Sequence, residues 1–207
     1  MSIYQDYLNG LAEHFQPDIS ALFATFTGAD ETDIAELIKH YPDSPSDLLG
    51  LLRSIKGTHY ELHQSNTICL PVLGSDVAAD QYPYYLRSVA QILEDKNGWF
   101  GKETIEEIYN EDIDCIELDE RIDITVPFSQ RLCFAHCINN GGTSQLYIDY
   151  APSNTGKYGQ IVRYLHDPDS YQVIADNFAQ YLTNIMQDEY PFINPNRIAS
   201  DYLSFDE

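Results

Sequence analysis

The stretch that decides the fold is residues 146–182, LYIDYAPSNTGKYGQIVRYLHDPDSYQVIADNFAQYL. Three short segments in it, LYIDY, GQIVRYL and YQVIA, are rich in β-branched and aromatic residues, which is typical of β-strands. Between the first two lie Pro152, Gly156 and Gly159. Proline restrains one backbone angle and glycine permits unusual ones, so this region predicts a long turn that joins two strands.

The stretch ends in a predicted helix, DNFAQYLTNIMQDEY, with Asp176 as its N-cap. Its apolar positions follow helical spacing, which places one set of side chains on the buried side. That set is Phe178, Tyr181, Leu182 and Ile185.

Upstream, residues 122–128 (IDITVPF) alternate apolar and polar residues, which predicts another strand. RLCFAHCI and SQLYIDY then predict a hairpin, because NNGGT between them has the Asn–Gly chemistry that hairpin turns favour.

The first half has mainly helical periodicity. Helices are predicted over residues 3–15 after Ser2, from the Asp30 cap through Tyr41, and from Ser44 with Pro45 at the first helical position. A fourth helix is predicted over residues 82–96, and a short strand pair over 59–63 and 67–72. Helices first, strands next and a helix at the end predict an α+β fold with a mostly antiparallel sheet. We expect one domain over residues 1–190 and a C-terminal tail over 191–207.

Charge is the strongest compositional signal. The chain has 33 Asp and Glu against 11 Lys and Arg, a formal net charge of −22. A field of that sign repels nucleic acid and anionic membranes and attracts basic partners. No apolar run approaches the roughly 20 residues that span a bilayer, and the N-terminus lacks the pattern of a signal peptide. These features predict a soluble, cytoplasmic protein.

The turn around Gly156 does not have the pattern of a phosphate-binding loop. The P-loop needs G-x-x-x-x-G-K-[ST], whereas Ala151 occupies the first glycine position and Tyr158 follows Lys157. The turn also leads into a predicted strand, so no helix N-terminus is available for an anion.

Two segments resemble metal sites only in part. NEDIDCIELDERID has acids at the first EF-hand positions, but Cys115 replaces the glycine and Arg121 the bidentate glutamate. In HYELH, His59, Glu61 and His63 would share one face of a strand, with the outer two about 13 Å apart, too far for one ion. The four cysteines lack the spacing of a closed zinc site and are expected to be small buried side chains. No catalytic motif is present, so we expect no enzyme activity, no cofactor and no metal.

The chain resembles the SUKH superfamily over about residues 25–187. The family's C-terminal signature is an apolar strand that ends in Asp, a Pro- and Gly-containing turn, Gly–Gln–Val before a strand, and Ala–Asp–Ser–Phe at the last helix. The matching residues are Asp149, Pro152, Gly156, Gly159, Gln160, Ala175, Asp176 and Phe178. Ile161 replaces the usual Val and Asn177 the usual Ser, while the N-terminal half departs further from the pattern.

The resemblance implies a non-catalytic α+β protein in which Asp149 and Gln160 hold the turn. Bacterial members of the superfamily protect cells from toxins, often nucleases, by direct binding, and fungal Smi/Knr members are regulators. The first hypothesis is therefore an immunity protein that binds a basic cognate toxin as a monomer or small homo-oligomer. A Smi/Knr-type regulatory or scaffold module is the alternative, and a metal-dependent enzyme that uses HYELH or the acidic run is a third possibility.

A partner surface follows from the charge pattern rather than from the family motif. Acidic side chains would steer a basic partner and aromatic side chains would anchor it. The candidate acids are Glu111, Asp112, Asp114, Glu117, Asp119, Glu120 and Asp123, and the candidate anchors are Tyr82, Tyr84, Tyr85 and Trp99.

Overall fold

The computed structural model describes residues 2–78, 82–139 and 142–193, and within them the predicted α+β fold is confirmed. The helices are α1 (Ile3–His14), α2 (Pro17–Phe23), α3 (Glu31–His40), α4 (Ser46–Ser54), α5 (Val89–Asn97), α6 (Ile105–Tyr109) and α7 (Phe178–Gln187). The strands are β1 (His59–His63), β2 (Asn66–Cys69), β3 (Tyr85–Leu86), β4 (Glu117–Leu118), β5 (Arg131–Asn139), β6 (Gly142–Asp149), β7 (Gln160–Leu165) and β8 (Ser170–Ala175). Short 3-10 helices occupy Phe100–Lys102, Asn110–Cys115 and Phe128–Gln130.

The main sheet has six strands in the order β3-β5-β6-β7-β8-β4. Its pairs are antiparallel except for β4, which lies parallel to β8. β1 and β2 form a separate hairpin, as predicted. In the main sheet, β3 and β4 therefore lie at opposite edges.

Each face of the sheet covers its own apolar core, because side chains alternate along the strands. Phe134, Leu146 and Ile148 face a large core with the N-terminal helices and α7. The ring of Phe134 meets those of Phe178 and Tyr181 edge-on, at centroid distances of 5.2 and 5.5 Å. On the other face, Tyr147, Val162 and Tyr171 pack under the segment that contains α6 and β4. The fold is thus a sheet between a helical layer and an irregular layer.

Helix caps follow the sequence closely, with one-residue shifts at two sites. Asp30 caps α3 as predicted, since its Oδ1 accepts from the Asp33 N–H at 2.8 Å. The cap of α7 is Asn177 rather than Asp176. Asp176 instead pairs with the ammonium of Lys157, at 2.5 Å. α4 likewise begins at Ser46, with Pro45 at the N-cap and not at the first helical position.

The helix predicted over residues 82–96 begins seven residues late, at Val89. Tyr85 and Leu86 pair with β5 instead, so a tertiary strand contact overrides the helical spacing. Ser88 then caps α5, which ends at Asn97, one residue beyond the predicted end.

The strand predicted over residues 122–128 is also wrong. Asp123 accepts hydrogen bonds from the N–H and hydroxyl of Thr125, which turns the chain, and a 3-10 helix follows. Ile122 and Phe128 are still buried, so the alternating pattern predicts their burial correctly but predicts the wrong backbone structure.

Two other predictions fall partly on residues that the structure does not describe. The hairpin of β5 and β6 is confirmed, with Asn139 opposite Gly142, but its turn residues 140–141 lie outside the described residues. Of the tail predicted from residue 191, Phe192 is buried in the main core, and residues 194–207 lie outside.

Candidate functional site

The candidate site is the segment over the second face of the sheet, residues 103–123, which we call the acidic cover. It holds ten acidic residues and one arginine. Six of its apolar side chains are buried or half-buried and pack in the core on this face of the sheet: Ile105, Tyr109, Ile113, Ile116, Leu118 and Ile122. Its exposed acids face solvent: Glu106, Glu107, Glu111, Asp112, Asp114, Glu117 and Glu120. Most apolar and most acidic side chains thus lie on opposite sides of one segment, with exceptions that include exposed Ile108 and half-buried Asp119.

The N-terminal part of the acidic cover is held by a helix cap and a tyrosine contact. The Thr104 hydroxyl accepts from the Glu107 N–H at 3.0 Å, and the Glu107 carboxylate accepts from the Thr104 N–H at 3.0 Å. At the other end of α6, the Tyr109 hydroxyl donates to Asp169 Oδ2 at 2.5 Å. Asp169 lies in the turn between β7 and β8, so this bond ties the cover to the sheet.

Asp169 collects several donors at that turn. Tyr164 donates to its Oδ1 at 3.1 Å, in addition to the bond from Tyr109. Burial disfavours the charged form, but the donated hydrogen bonds outweigh it and hold the pKa of Asp169 below its ordinary value.

The C-terminal part of the acidic cover is held by the turn between β6 and β7, residues 150–159, which we call the signature turn. Ser153 donates from its N–H to the Arg121 carbonyl at 3.0 Å and from its hydroxyl to the Glu120 carbonyl at 2.6 Å. The side-chain amide of Gln160 donates to the Arg121 carbonyl as well, at 2.9 Å. Ser153 of the signature turn and Gln160, the first residue of β7, thus bind the backbone of the cover.

Asp149 is the buried centre of this arrangement. It is 0% exposed and accepts from the Ala151 N–H at 3.1 Å and the Gln160 amide at 3.1 Å. Arg131, 2% exposed, brings its Nε within 3.3 Å of the Asp149 carboxylate. The same guanidinium donates to the carbonyls of Asp123 and Val126, at 2.5 and 3.4 Å. The family-motif residues Asp149 and Gln160 thus make contacts inside the protein.

Asp119 differs from the other acids of the predicted surface. Its side chain is 9% exposed and forms an ion pair with Arg121. The hydrogen bonds from the Arg121 guanidinium lower the pKa of Asp119 to about 2. The prediction of Asp119 as a partner-facing acid is corrected, because its carboxylate is already used within the cover. Asp123 is half-buried and turns the chain through Thr125, whereas the other five candidate acids are exposed.

The predicted aromatic anchors do not gather beside the acids. Tyr84 is 0% exposed, so it cannot contact a partner, and its prediction is wrong. Tyr82 and Tyr85 are half-buried, and Tyr85 lies in β3, at the sheet edge opposite β4. Trp99 is 73% exposed and precedes Phe100, which packs in the core beneath the cover. Ile108, 37% exposed on α6, is an exposed apolar side chain beside these acids that the charge pattern did not predict.

The metal readings gain no support from the geometry of the described residues. His63 is buried, and both its ring nitrogens have partners, the Thr27 N–H at 3.0 Å and the Gly57 carbonyl at 2.8 Å. His59 packs against the ring of His136, at a centroid distance of 4.1 Å. No group of three or more His, Cys, Asp or Glu within residues 2–78, 82–139 and 142–193 is arranged to hold an ion. Among the described residues, which include all four cysteines, no disulfide forms, and Cys115 is exposed, contrary to expectation.

The fold and this surface define the class of the protein. A mostly antiparallel sheet with helices on one face and a covering segment on the other is consistent with the SUKH superfamily. The chain belongs to the SMI1/KNR4 family (SUKH-1), whose family model matches residues 28–184. Membership supports a protein-interaction role, of the toxin-immunity or the Smi/Knr kind.

Two further findings concern curated relatives and membrane-spanning helices. A search of curated proteins found no significant match. In the part of the chain that the structure describes, no helix combines the length and the apolar character needed to cross a bilayer.

Proposed function

We propose that this protein is an immunity protein that neutralises a basic cognate toxin by binding it through the acidic cover. The observation that carries the proposal is the separation of charge on residues 103–123: apolar side chains pack on the sheet, and seven exposed acids face solvent. Members of this family act through contacts with other proteins, so an exposed acidic surface of this kind could bind a protein partner.

The expected mechanism has an electrostatic and an apolar part. A protein of net charge −22 attracts a basic partner over long range, so the acids raise the association rate. Exposed acids contribute little net affinity, because water and salt screen them. Trp99 and Ile108 are the exposed apolar side chains at or beside the cover, and they would supply affinity once the surfaces meet. The protein performs no chemistry on its partner.

The test is the association rate with a candidate toxin domain as a function of salt, measured for matched variants. One variant neutralises three acids of the cover: Glu111→Gln, Asp112→Asn and Asp114→Asn. The control neutralises three exposed acids of the opposite, helical layer: Glu13→Gln, Asp18→Asn and Asp33→Asn. Both variants carry the same net charge, so a difference between them reports where the partner binds.

We expect the cover variant to associate at least tenfold more slowly at low salt, and the control less than threefold more slowly. The proposal would be contradicted if co-expression of this protein failed to protect cells from the toxin, or if the two variants associated with the toxin at the same rate. Capture of several host structural or signalling proteins instead of a toxin would favour the regulatory Smi/Knr alternative.

A further inference from the structure

A second surface feature is lined in part by residues of the signature turn. It is a cleft of about 180 Å³ between the end of α3, the side of α5 and the signature turn. We call it the tyrosine cleft and define it by Tyr41, Asp43, Lys96, Tyr150 and Tyr158. A water molecule needs only about 10–15 Å³ of such space, so the cleft has room for a long side chain.

Three tyrosine rings form a row along the tyrosine cleft. The ring centroids of Tyr41 and Tyr150 are 5.9 Å apart, and those of Tyr150 and Tyr158 are 5.4 Å apart. The row already holds one cation, because the Lys96 ammonium lies 3.9 Å from the centroid of the Tyr41 ring. Tyrosine faces attract cations through their ring quadrupole. The outer two rings have no such cation within the described residues.

The outer end of the cleft carries negative charge. The Tyr158 hydroxyl donates to Asp43 Oδ2 at 2.7 Å, and this bond with the carboxylate raises the pKa of Tyr158 to about 12. The Asp43 carboxylate is exposed. It lies three residues after the end of α3, where the helix dipole adds partial negative charge.

Lys96 closes the inner end and does not make the cleft an anion site. Its ammonium donates to the Ser129 carbonyl at 3.0 Å and lies over Tyr41. An anion that entered would pass the Asp43 carboxylate and the field of a chain with net charge −22. A cation at the outer end would lie beside the rings of Tyr150 and Tyr158 and the carboxylate of Asp43.

We propose that the tyrosine cleft binds one arginine side chain presented by the protein partner. A guanidinium stacks on aromatic faces and presents paired donors to a carboxylate, which the compact ammonium of lysine does not do. The inference rests on the proposed function only for the source of the arginine, since a basic partner would carry it. The cleft would then act as an anchor and set the dissociation rate, whereas the acidic cover sets the association rate.

The first experiment needs no toxin. The acetylated, amidated pentapeptide Gly-Gly-Arg-Gly-Gly is titrated into the full chain and followed by NMR at the Tyr150 and Tyr158 rings. Matched peptides replace arginine with lysine or with neutral citrulline, which keeps the shape and removes the charge. We expect millimolar binding of the arginine peptide, with lysine at least threefold weaker and citrulline at least tenfold weaker.

Variants locate the binding. Tyr158→Ala and Asp43→Asn should each weaken the arginine peptide at least fivefold. Tyr60→Ala is the matched control for the ring, because Tyr60 is 57% exposed and Tyr158 is 60% exposed at a different place. Asp33→Asn is the control for the charge, and both controls should bind as the parent does. The substituted residues are exposed, so the fold is retained and a loss of binding reports the cleft.

Four outcomes would overturn the inference: no binding of the arginine peptide, equal binding of the arginine and citrulline peptides, equal effects of cleft variants and controls, or shifts confined to the acidic cover. The variant with Glu111, Asp112 and Asp114 neutralised separates the two proposals. It should keep the peptide shifts at Tyr158 while it loses toxin association rate. Absence of peptide binding would therefore not contradict the role of the cover. An unaltered rate of association between the toxin and this variant would not contradict the role of the cleft.

Discussion

Replacement of Asp149 should lower the free energy of unfolding more than replacement of any surface acid does. Asp149→Ala leaves the guanidinium of Arg131, 2% exposed, without its counter-charge. Removal of one partner from a buried ion pair costs about 3–5 kcal/mol, because the remaining charge stays desolvated. The Ala151 N–H and the Gln160 amide also lose an acceptor. Since the free energy of unfolding of a domain is about 5–15 kcal/mol, a loss of about 4 kcal/mol is a large fraction of its stability.

Urea denaturation followed by tryptophan fluorescence and circular dichroism measures the effect. With a slope of about 3 kcal/mol per molar urea, the midpoint should fall by about 1–1.7 M. Asp176→Asn is the matched control, because the Lys157–Asp176 pair is exposed and such pairs contribute about 0–1 kcal/mol. If the two midpoints fell by the same amount, the buried pair would not hold the signature turn as we infer. A double variant, Arg131→Met with Asp149→Leu, should be less destabilised than the sum of the single changes, since neither charge is then left alone.

Three further predictions concern the acidic cover. Tyr109→Phe removes the donor to Asp169 and should lower the free energy of unfolding by about 1.5–3 kcal/mol. Hydrogen exchange of the backbone amides should become faster in α6 and change less in α7. Unchanged exchange in α6 would contradict the contact between the cover and the sheet. Because the pKa of Asp119 is lowered to about 2, its contribution is present above pH 4 and is lost as the pH falls toward 2. The parent should therefore lose about 1–2 kcal/mol more than Asp119→Asn over that range in acid titrations of stability, and parallel curves would refute the Asp119–Arg121 pairing. In Gly156→Ala the new Cβ would lie 2.3 Å from the Arg121 carbonyl oxygen, so we expect about 1–3 kcal/mol of destabilisation, whereas Ala substitution at exposed Thr155 should stay near 1 kcal/mol or below.

Local signals predicted most of the elements but misplaced those that depend on distant partners. Asp30 capped α3 as predicted, because a cap is decided within three residues. Tyr85 and Leu86 have helical spacing in sequence, yet the edge of β5 draws them into a strand. The charge run predicts the acids of the cover, but it does not predict that Asp119 pairs with Arg121. The sequence also does not predict that Tyr84 is buried, since burial depends on residues elsewhere in the chain.

The tyrosine cleft could not be predicted from the sequence. Tyr41, Lys96 and Tyr158 are far apart in sequence, and no spacing rule joins them. Only the packing of α3, α5 and the signature turn brings their side chains to one cleft.

The sequence by itself determined the family, the alternation of helices and strands, and the negative charge, because these depend on neighbouring residues or on totals. The tertiary structure alone decided that the signature turn holds the acidic cover, through the bonds of Ser153 and Gln160 to the backbone of residues 120–121. It also decided which acids remain exposed. The physical reason is that burial and pairing arise between segments that meet only when the sheet has formed.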